Sequence, residues 1–458
     1  MPGAGAAASA AAKVAQLAST LAGLSPLRAK GLLALLAVLG AVVALVVASG
    51  TVLRQRRTAW ARDQALPHLA RLTDAQDYWP AFLLARKIRS VVPDEPMLRR
   101  LWPRFAGELK RKILPAGAMV LARPRGSGVG GPGSSSARQR GRLWPPPLGY
   151  SVFRVQCPGL EPREFAMSVT EFGWENYVEG EGVTTLARRG EIPDGMVRIE
   201  TPPKQMSLGL DSARFDFMQE GHVTSFFVDT HEVTNREYKR FVDAGGYLRR
   251  EYWKERLERD GRALARDEAM ALFRDATGRP GPAAWEVGTF PQGTDDFPVT
   301  GVSWHEAAAY AAFAGKRLPS AYHLAIARAA VLGGDFVPRS NFSGKLAPVG
   351  SYRGSLNYWG LYDAAGNARE WCTNASGREH FVLGGAADDP AYMAWDTDTT
   401  KSPFDRSPTT GFRCIKPVAP ETREAELDRT IARKAPIDWE KEKPFSEDAW
   451  RTWQGLLS

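Results

Sequence analysis

Between Lys30 and Arg54 the chain reads "GLLALLAVLGAVVALVVASGTVL", with no charged side chain inside the run. In water such a stretch would present an apolar cylinder to solvent. A bilayer core accepts about 20 such residues as one helix whose backbone hydrogen bonds are all internal. The run therefore predicts a single transmembrane helix over 31–53, after a short leader, 1–30. A cleaved signal peptide is the competing reading, but the leader is long and alanine-rich, and the apolar run overshoots an ordinary signal core. Orientation is not set by the flanks. Arg54, Arg56, Arg57 and Arg62 follow the run while Lys13, Arg28 and Lys30 precede it, so the positive-inside rule alone places the C-terminal part in the cytoplasm.

The rest of the 458 residues has enough apolar content, 44% over the whole chain, to build two or three folded units. A net charge of +9 invites a nucleic-acid reading. The basic residues are interleaved with acidic ones, however, and no basic stripe with spaced aromatics and no zinc-finger pattern occurs, so no nucleic-acid partner is expected. Three cysteines, Cys157, Cys372 and Cys414, make no disulfide scaffold and no C-x-x-C pair.

Over 54–114 apolar residues recur at three- and four-residue spacing with Arg and Lys opposite them, which predicts a helical membrane-proximal stalk with Trp79, Phe82 and Leu83 in its core stripe. The period then shortens. "AGAMVLARP" and "YSVFRVQCPGLEPREFAMSV" alternate in strand fashion about "RGSGVGGPGSSSARQRGR", a loop by composition, and predict a small β-sandwich over 115–170. Through "PAGAMV" and "LGYSVFRVQCPGLEP" this stretch resembles the PEGA-type repeats of bacterial surface proteins. From 190 to 418 short strands and Gly/Pro turns surround two helices. One is capped at Thr234 or Asn235, and the other at Ser303 with Glu306 three residues on. The charged insertion between them, "RREYWKERLERDGRALARDEAMALFRDATG", reads as peripheral helix. A charged tail, 419–458, carries Trp439, Trp450 and Trp453 as docking anchors.

"DTHEVTNREYKRFV", "PVTGVSWHEAAAYAAFAGKRLPS", "GLYDAAGNAREW", "LGG" and "TTGFRC", in that order, resemble the formylglycine-generating enzyme family, or sulfatase-modifying factors. The resemblance implies an α+β fold, that family's variant of the C-type lectin fold, with much irregular structure. "GPAAWEVGTFPQGTDDFPVTGVSW" and "SPFDRSPTTGFRC" are similar to the modules attached outside the membrane to bacterial serine/threonine kinases. This chain carries no glycine-rich ATP loop, "HRD" or "DFG" of its own.

In the family the segment similar to "DAAGNARE" binds calcium, and position by position its ligands fall on Asp363, Gly366, Ala368 and Glu370. An all-oxygen shell of carboxylates and turn carbonyls suits a hard cation. The plainer alternative is a β-turn at Gly366 and Asn367 with both acids solvated. A second family calcium site begins at a motif like "SNFSG", here Asn341 and Phe342, but its acidic ligand is missing. Active members hold copper between two cysteines after a "GGS" strand, and the matching positions here are Asp389 and Ala394. Soft Cu(I) wants thiolate, so neither copper nor iron is expected. Cys372 and Cys414 either pair as a disulfide or stand as two buried thiols. The scattered histidines, His68, His222, His231, His305, His323 and His380, show no metal spacing.

Two functions follow. The first is a binding or sensing module, with Asp388, Asp389, Tyr392, Trp395 and Asp396 lining the former active-site cleft for a peptide, glycan or protein ligand. Its partners would include a kinase or other signalling protein, and calcium would act as a structural brace. The second is a metal-dependent oxidase whose ligands have moved to Asp389, Asp396 or His380. Calcium is plentiful outside the cytoplasm, and long domains translocate largely regardless of flanking charge. The expectation is a single-pass protein with an extracytoplasmic C-terminal region.

Overall fold

The computed structural model describes residues 26–107, 117–124, 147–169, 186–201, 223–328, 336–396, 399–419, 424–431, 446 and 451. The leader before residue 26, the segment 125–146 that includes the expected loop, and Trp439, Trp450 and Trp453 lie outside the described residues. The chain divides into two compact units, Met1–Phe105 and Ala106–Ser458.

The first unit is helical. Helix α1 (Pro26–Ala59) contains a stretch long and apolar enough to cross a membrane, and its side chains from Ala34 to Leu53 are all exposed. A π-helical segment (Trp60–Ala65) leads into α2 (Leu66–Asp74), followed by α3 (Tyr78–Val91) and α4 (Pro96–Leu101). Leu69, Phe82, Ala85, Ile88 and Leu101 supply the buried stripe. Of the three residues assigned to that stripe, Phe82 is buried and Trp79 sits half-buried against it at 6.0 Å, but Leu83 faces solvent.

The second unit mixes helices and sheets. Strands β1 (Met119–Pro124), β2 (Gly149–Gln156) and β3 (Arg163–Val169) form one antiparallel sheet in the order β1-β2-β3. The expected β-sandwich is therefore corrected: among the described residues this stretch is a single sheet, not two packed ones. Its other cover comes from far along the chain. Ala166 N–H donates to the Asn357 carbonyl at 3.0 Å, Tyr150 donates its hydroxyl to the Leu356 carbonyl, and the Phe165 ring lies 6.4 Å from that of Tyr358. Gly360 sits at φ +92°, where a Cβ would lie 2.5 Å from the Glu164 carbonyl oxygen. Only glycine lets the two segments approach so closely.

Strands β4 (Met196–Ile199) and β5 (Phe226–Asp229) precede α5 (Asn235–Asp243), which Thr234 and Glu237 close with a capping box. The insertion that follows is not the peripheral helix its charge pattern predicts. It holds a 3₁₀ turn (Arg250–Tyr252), a hairpin, β6 (Glu258–Arg259) and β7 (Arg262–Ala263), and one short α-helix, α6 (Arg266–Met270). Asp260 and Gly261, at φ +54° and +80°, supply the two left-handed positions of a tight hairpin turn. Helix α7 (Trp304–Phe313) carries the Ser303–Glu306 capping box, and α8 (Ala321–Ala327) has its own from Ser320 and His323.

Strands β8 (Arg369–Ser376), β9 (Glu379–Leu383), β10 (Thr400–Lys401) and β11 (Thr410–Gly411) make a four-stranded sheet ordered β10-β9-β8-β11, with β11 parallel to β8. Strand β12 (Ile415–Pro417) returns to β5, giving the order β12-β5-β4, and α9 (Glu424–Leu427) follows. Two indoles fasten α7 to β8: Trp304 Nε1–H donates to the Cys372 carbonyl at 2.8 Å, and Trp371 Nε1–H to that of Val302 at 3.0 Å. Tyr238 and Phe241 of α5 meet Tyr310 of α7 in an aromatic core, with the Tyr238 and Tyr310 rings stacked at 5.4 Å. Cys372 and Cys414 are free buried thiols, not a disulfide.

Gly360→Ala should destabilise the protein by about 2 kcal/mol or more, adding a collision to the left-handed strain. Gly377→Ala, at φ +61° with nothing within 4 Å of its Cβ, should cost only the strain. Urea unfolding of both variants measures the difference.

Candidate functional site

The Asp363–Glu370 loop turns sharply because Asp363, Gly366 and Asn367 all have left-handed φ, +51°, +74° and +59°. At Gly366 a Cβ would lie 2.4 Å from the Asn341 carbonyl oxygen. Asn367 ties the turn down. Its Oδ1 accepts from Asn341 Nδ2 at 2.9 Å and Ala347 N–H at 3.0 Å, and its Nδ2 donates to Glu232 Oε1 at 3.1 Å. The alternative of two solvated acids is excluded, since Asp363 and Glu370 are 2% and 1% exposed. The Asp363 carboxylate accepts from Gly350 N–H at 2.5 Å and from the Ser355 hydroxyl at 3.1 Å. Asn341, where the second calcium motif begins, spends its Oδ1 on Ser343 and its Nδ2 on Lys345 and Asn367.

A cation already lies against this loop. Arg413 holds Glu370 Oε1 from Nε at 2.8 Å and from Nη2 at 2.7 Å. Its guanidinium also donates to the carbonyls of Asp229 (3.2 Å), Tyr362 (3.1 Å) and Asp363 (3.0 Å). Burial by itself would lower the Arg413 pKa, but Glu370, Glu232 and Asp363 reverse this and leave it raised. Burial and the neighbouring Asp363 push Glu232 well above the usual carboxylate range, against the pull of Arg413. Asp363 is raised by burial, with the Gly350 N–H and Arg413 opposing.

Glu232 Oε2 and Glu370 Oε2 are buried without a hydrogen-bond partner. Unpaired buried carboxylate oxygens are costly, so the donor chemistry fits a further hard cation. Among the described residues no three His, Cys, Asp or Glu side chains are grouped to hold a metal ion. A cation here would therefore lean on backbone carbonyls, as the Gly366 and Ala368 assignment supposes.

The degenerate strand end is divided between inside and outside. Asp389 is closed off: one oxygen takes Arg369 Nη2 at 2.5 Å, the other Ala386 N–H at 2.6 Å. Ala394 is buried, and Asp396 accepts the Thr399 hydroxyl. Tyr392 and Trp395, 70% and 40% exposed, belong to one 3₁₀ turn (Ala391–Trp395), and Asp388 is exposed just before it. Residues three apart in a 3₁₀ helix share a side, so the two aromatic rings share a face. The other expected ligand residues, Asp389 and Asp396, are engaged internally.

The histidines do not assemble. The His380 ring stacks on Trp304 at 3.9 Å, and its Nδ1 lies 3.1 Å from the Thr373 carbonyl. Among the described residues it is not grouped with Asp389 and Asp396 as a metal site. His305 is buried between Trp304 (5.3 Å) and Phe404 (4.8 Å), with neither ring nitrogen partnered. Burial, then the nearby His380, pushes its pKa down to about 3. The residues that sequence reasoning missed are Glu232, Arg328, Arg369 and Arg413. Arg328 and Arg413 are charged side chains within largely apolar stretches, "HLAIARAAVL" and "GFRCI", which is the available signal, whereas Glu232 and Arg369 lie among other polar residues and carry none.

Removing one partner of a buried ion pair strands the other charge, so Arg413→Met should cost about 3–5 kcal/mol in urea unfolding. His305 titrates near 6.5 when unfolded and about 3 when folded, so the stability it contributes is present above 6.5 and lost as pH falls towards 3. His305→Phe should therefore flatten that part of the acid limb of Tm against pH.

Comparison with known proteins adds an independent measure. The serine/threonine-protein kinase pkn1 of Chlamydia caviae is 32% identical over 169 residues, covering 35% of this chain and 24% of the kinase. The chain thus spans about a quarter of that relative's length. The formylglycine-generating enzyme of Thermomonospora curvata is 30% identical over 229 residues, 40% of this chain and 72% of the enzyme. The inactive C-alpha-formylglycine-generating enzyme 2 of Bos taurus is 26% identical over 302 residues, 56% of this chain and 95% of that protein. The model of the sulfatase-modifying factor enzyme 1-like domain matches residues 183–418, the stretch that contains the loop, both aromatic-core helices and the degenerate strand end. By that match the chain belongs to the sulfatase-modifying factor enzyme 1-like family.

Proposed function

We propose that this is a membrane-anchored, catalytically silent member of the family, built on its C-type-lectin-like variant and acting outside the cytoplasm as a ligand-binding or sensing module. One observation carries the reading: Asp389 stands at a position where active members have a copper-binding cysteine, and it is held in a closed ion pair with Arg369. A carboxylate so engaged neither presents a soft ligand nor acts as a base. The bovine relative matched over 95% of its length carries the word inactive in its name, which accords with loss of chemistry in a retained fold.

The ligand face is the exposed Asp388, Tyr392 and Trp395, with Asp389 engaged behind it by Arg369 and the Ala386 N–H, and Asp396 by the Thr399 hydroxyl. Aromatic and acidic side chains on an irregular segment suit a peptide, glycan or protein ligand. The apolar α1 serves as a single-pass anchor, and the kinase relative points to a signalling partner. A calcium ion would be held by Asp363, Gly366, Ala368 and Glu370 and would supply charge balance and rigidity, not chemistry. The unpaired Glu370 Oε2 and Glu232 Oε2 support this assignment.

The test is metal analysis of the full chain in detergent, combined with thermal unfolding. After chelation, calcium at millimolar concentration should raise Tm, by about 2.7 kcal/mol of stabilisation at a hundredfold excess over Kd, and magnesium should do much less. Stoichiometric copper or iron, with oxidation of a thiol-bearing peptide, would overturn the proposal in favour of the oxidase. Protease protection in intact cells tests the orientation.

A further inference from the structure

The turn of helix that follows the apolar run of α1 carries three positive charges with no answering acid. The sequence has no Asp or Glu before Asp63. Elsewhere in the helical unit arginines meet carboxylates: Arg62 pairs with Glu95 at 3.1 Å, Arg99 with Asp94 at 3.1 Å, and Arg104 with Asp74 at 2.9 Å. Arg54, Arg56 and Arg57 are exposed and make no ion pair among the described residues.

Helix geometry fixes where these charges lie. At 1.5 Å per residue, Arg57 stands only about 6 Å beyond Leu53, the last apolar residue of the run, and Trp60 about 10 Å beyond it. With the run in the hydrocarbon core, that depth is the headgroup layer. The Cα–Cβ bonds of a helix tilt towards its N-terminus, here towards the apolar run, so the three long side chains lean to the membrane. Arg56 and Arg57 precede Trp60 and Ala61 by four positions and share their side of the helix. Ala61, 0% exposed, is where the helix meets its neighbours, and Lys87 of α3 sets its Nζ 4.7 Å from the centre of the Trp60 ring. Lys87 is itself exposed. A fourth cation thus stands level with Trp60, a residue type that settles at membrane interfaces. The helix runs from α1 through the π-helical segment into α2 without a gap, which holds these groups at a fixed height.

We propose that Arg54, Arg56, Arg57 and Lys87, with the Trp60 indole, form a binding surface for anionic phospholipid headgroups, selecting phosphatidylglycerol-type lipids over zwitterionic ones. A guanidinium takes phosphate oxygens in pairs, and a bilayer sets phosphates at this height. Each cation near an anionic surface adds to the attraction. The first acid along the chain, Asp63, lies about 9 Å further along the axis than Arg57, and Glu95 is engaged by Arg62. The inference rests on the reading of α1 as a membrane anchor. It is independent of which leaflet faces the cytoplasm, of the calcium brace and of the loss of catalysis.

The test uses the full chain reconstituted in phosphatidylcholine vesicles with trace spin-labelled phosphatidylglycerol or phosphatidylcholine, whose motionally restricted fraction reports lipid in contact with protein. At low salt phosphatidylglycerol is expected to be preferred at least about threefold. The preference should fall to about one in the Arg54→Gln/Arg56→Gln/Arg57→Gln variant, and about 0.5 M sodium chloride should remove most of it by screening. Equal restriction of the two lipids overturns the proposal and leaves the anchor standing; restriction of neither overturns the anchor and the proposal with it. A preference that survives the triple substitution also overturns it. Should the variant not enter vesicles, salt decides on the unsubstituted chain: loss of the preference supports the surface, and persistence sinks it.

Discussion

The buried pair of Arg413 and Glu370 is the contact on which the arrangement of the second unit depends. Arg413 precedes β12 by two residues, Glu370 lies in β8, and the carbonyls that complete the guanidinium's shell come from Asp229 in β5 and from Tyr362 and Asp363 in the loop. One side chain thereby joins the β12-β5-β4 sheet, the four-stranded sheet and the loop. A buried ion pair adds little net stability over a well-packed apolar substitute, but it is exacting about its partners. Its value here lies in register. Sliding β12 by one residue against β5 would turn the guanidinium away from four oxygen acceptors at once.

Asp389 and Arg369 close the strand end from within, while Tyr392 and Trp395 are left on the surface of the same segment. Glu232 and Glu370 each keep a buried carboxylate oxygen without a hydrogen-bond partner among the described residues. Unpaired buried polar atoms are rare in folded proteins because each forfeits its hydration.

The three-stranded sheet shows why a sequence pattern can name strands and still misjudge their partner. Alternation over 119–124, 149–156 and 163–169 is a local property and predicts strands whatever lies opposite. A sandwich needs a second sheet from the same stretch. The cover instead comes from 356–360, nearly two hundred residues later, through a contact that turns on the absence of a side chain at Gly360. The charged insertion misled for a different reason. Its helical charge spacing outweighed the short Asp260-Gly261 signal, whose left-handed turn decides the hairpin.

What could be read from the sequence alone was decided within a few residues of itself. An uncharged run from Gly31 to Leu53 must be helical if it meets lipid, and Thr234 and Ser303 each find a glutamate three places on to close a helix end. The left-handed turn about Gly366 follows from residue types that tolerate it. Tertiary structure alone decided which charges would meet: Arg413 with Glu370, and Arg369 with Asp389. Such choices depend on the path of the chain between distant segments, and an arginine's long side chain is equally at home in several of them until packing removes the rest.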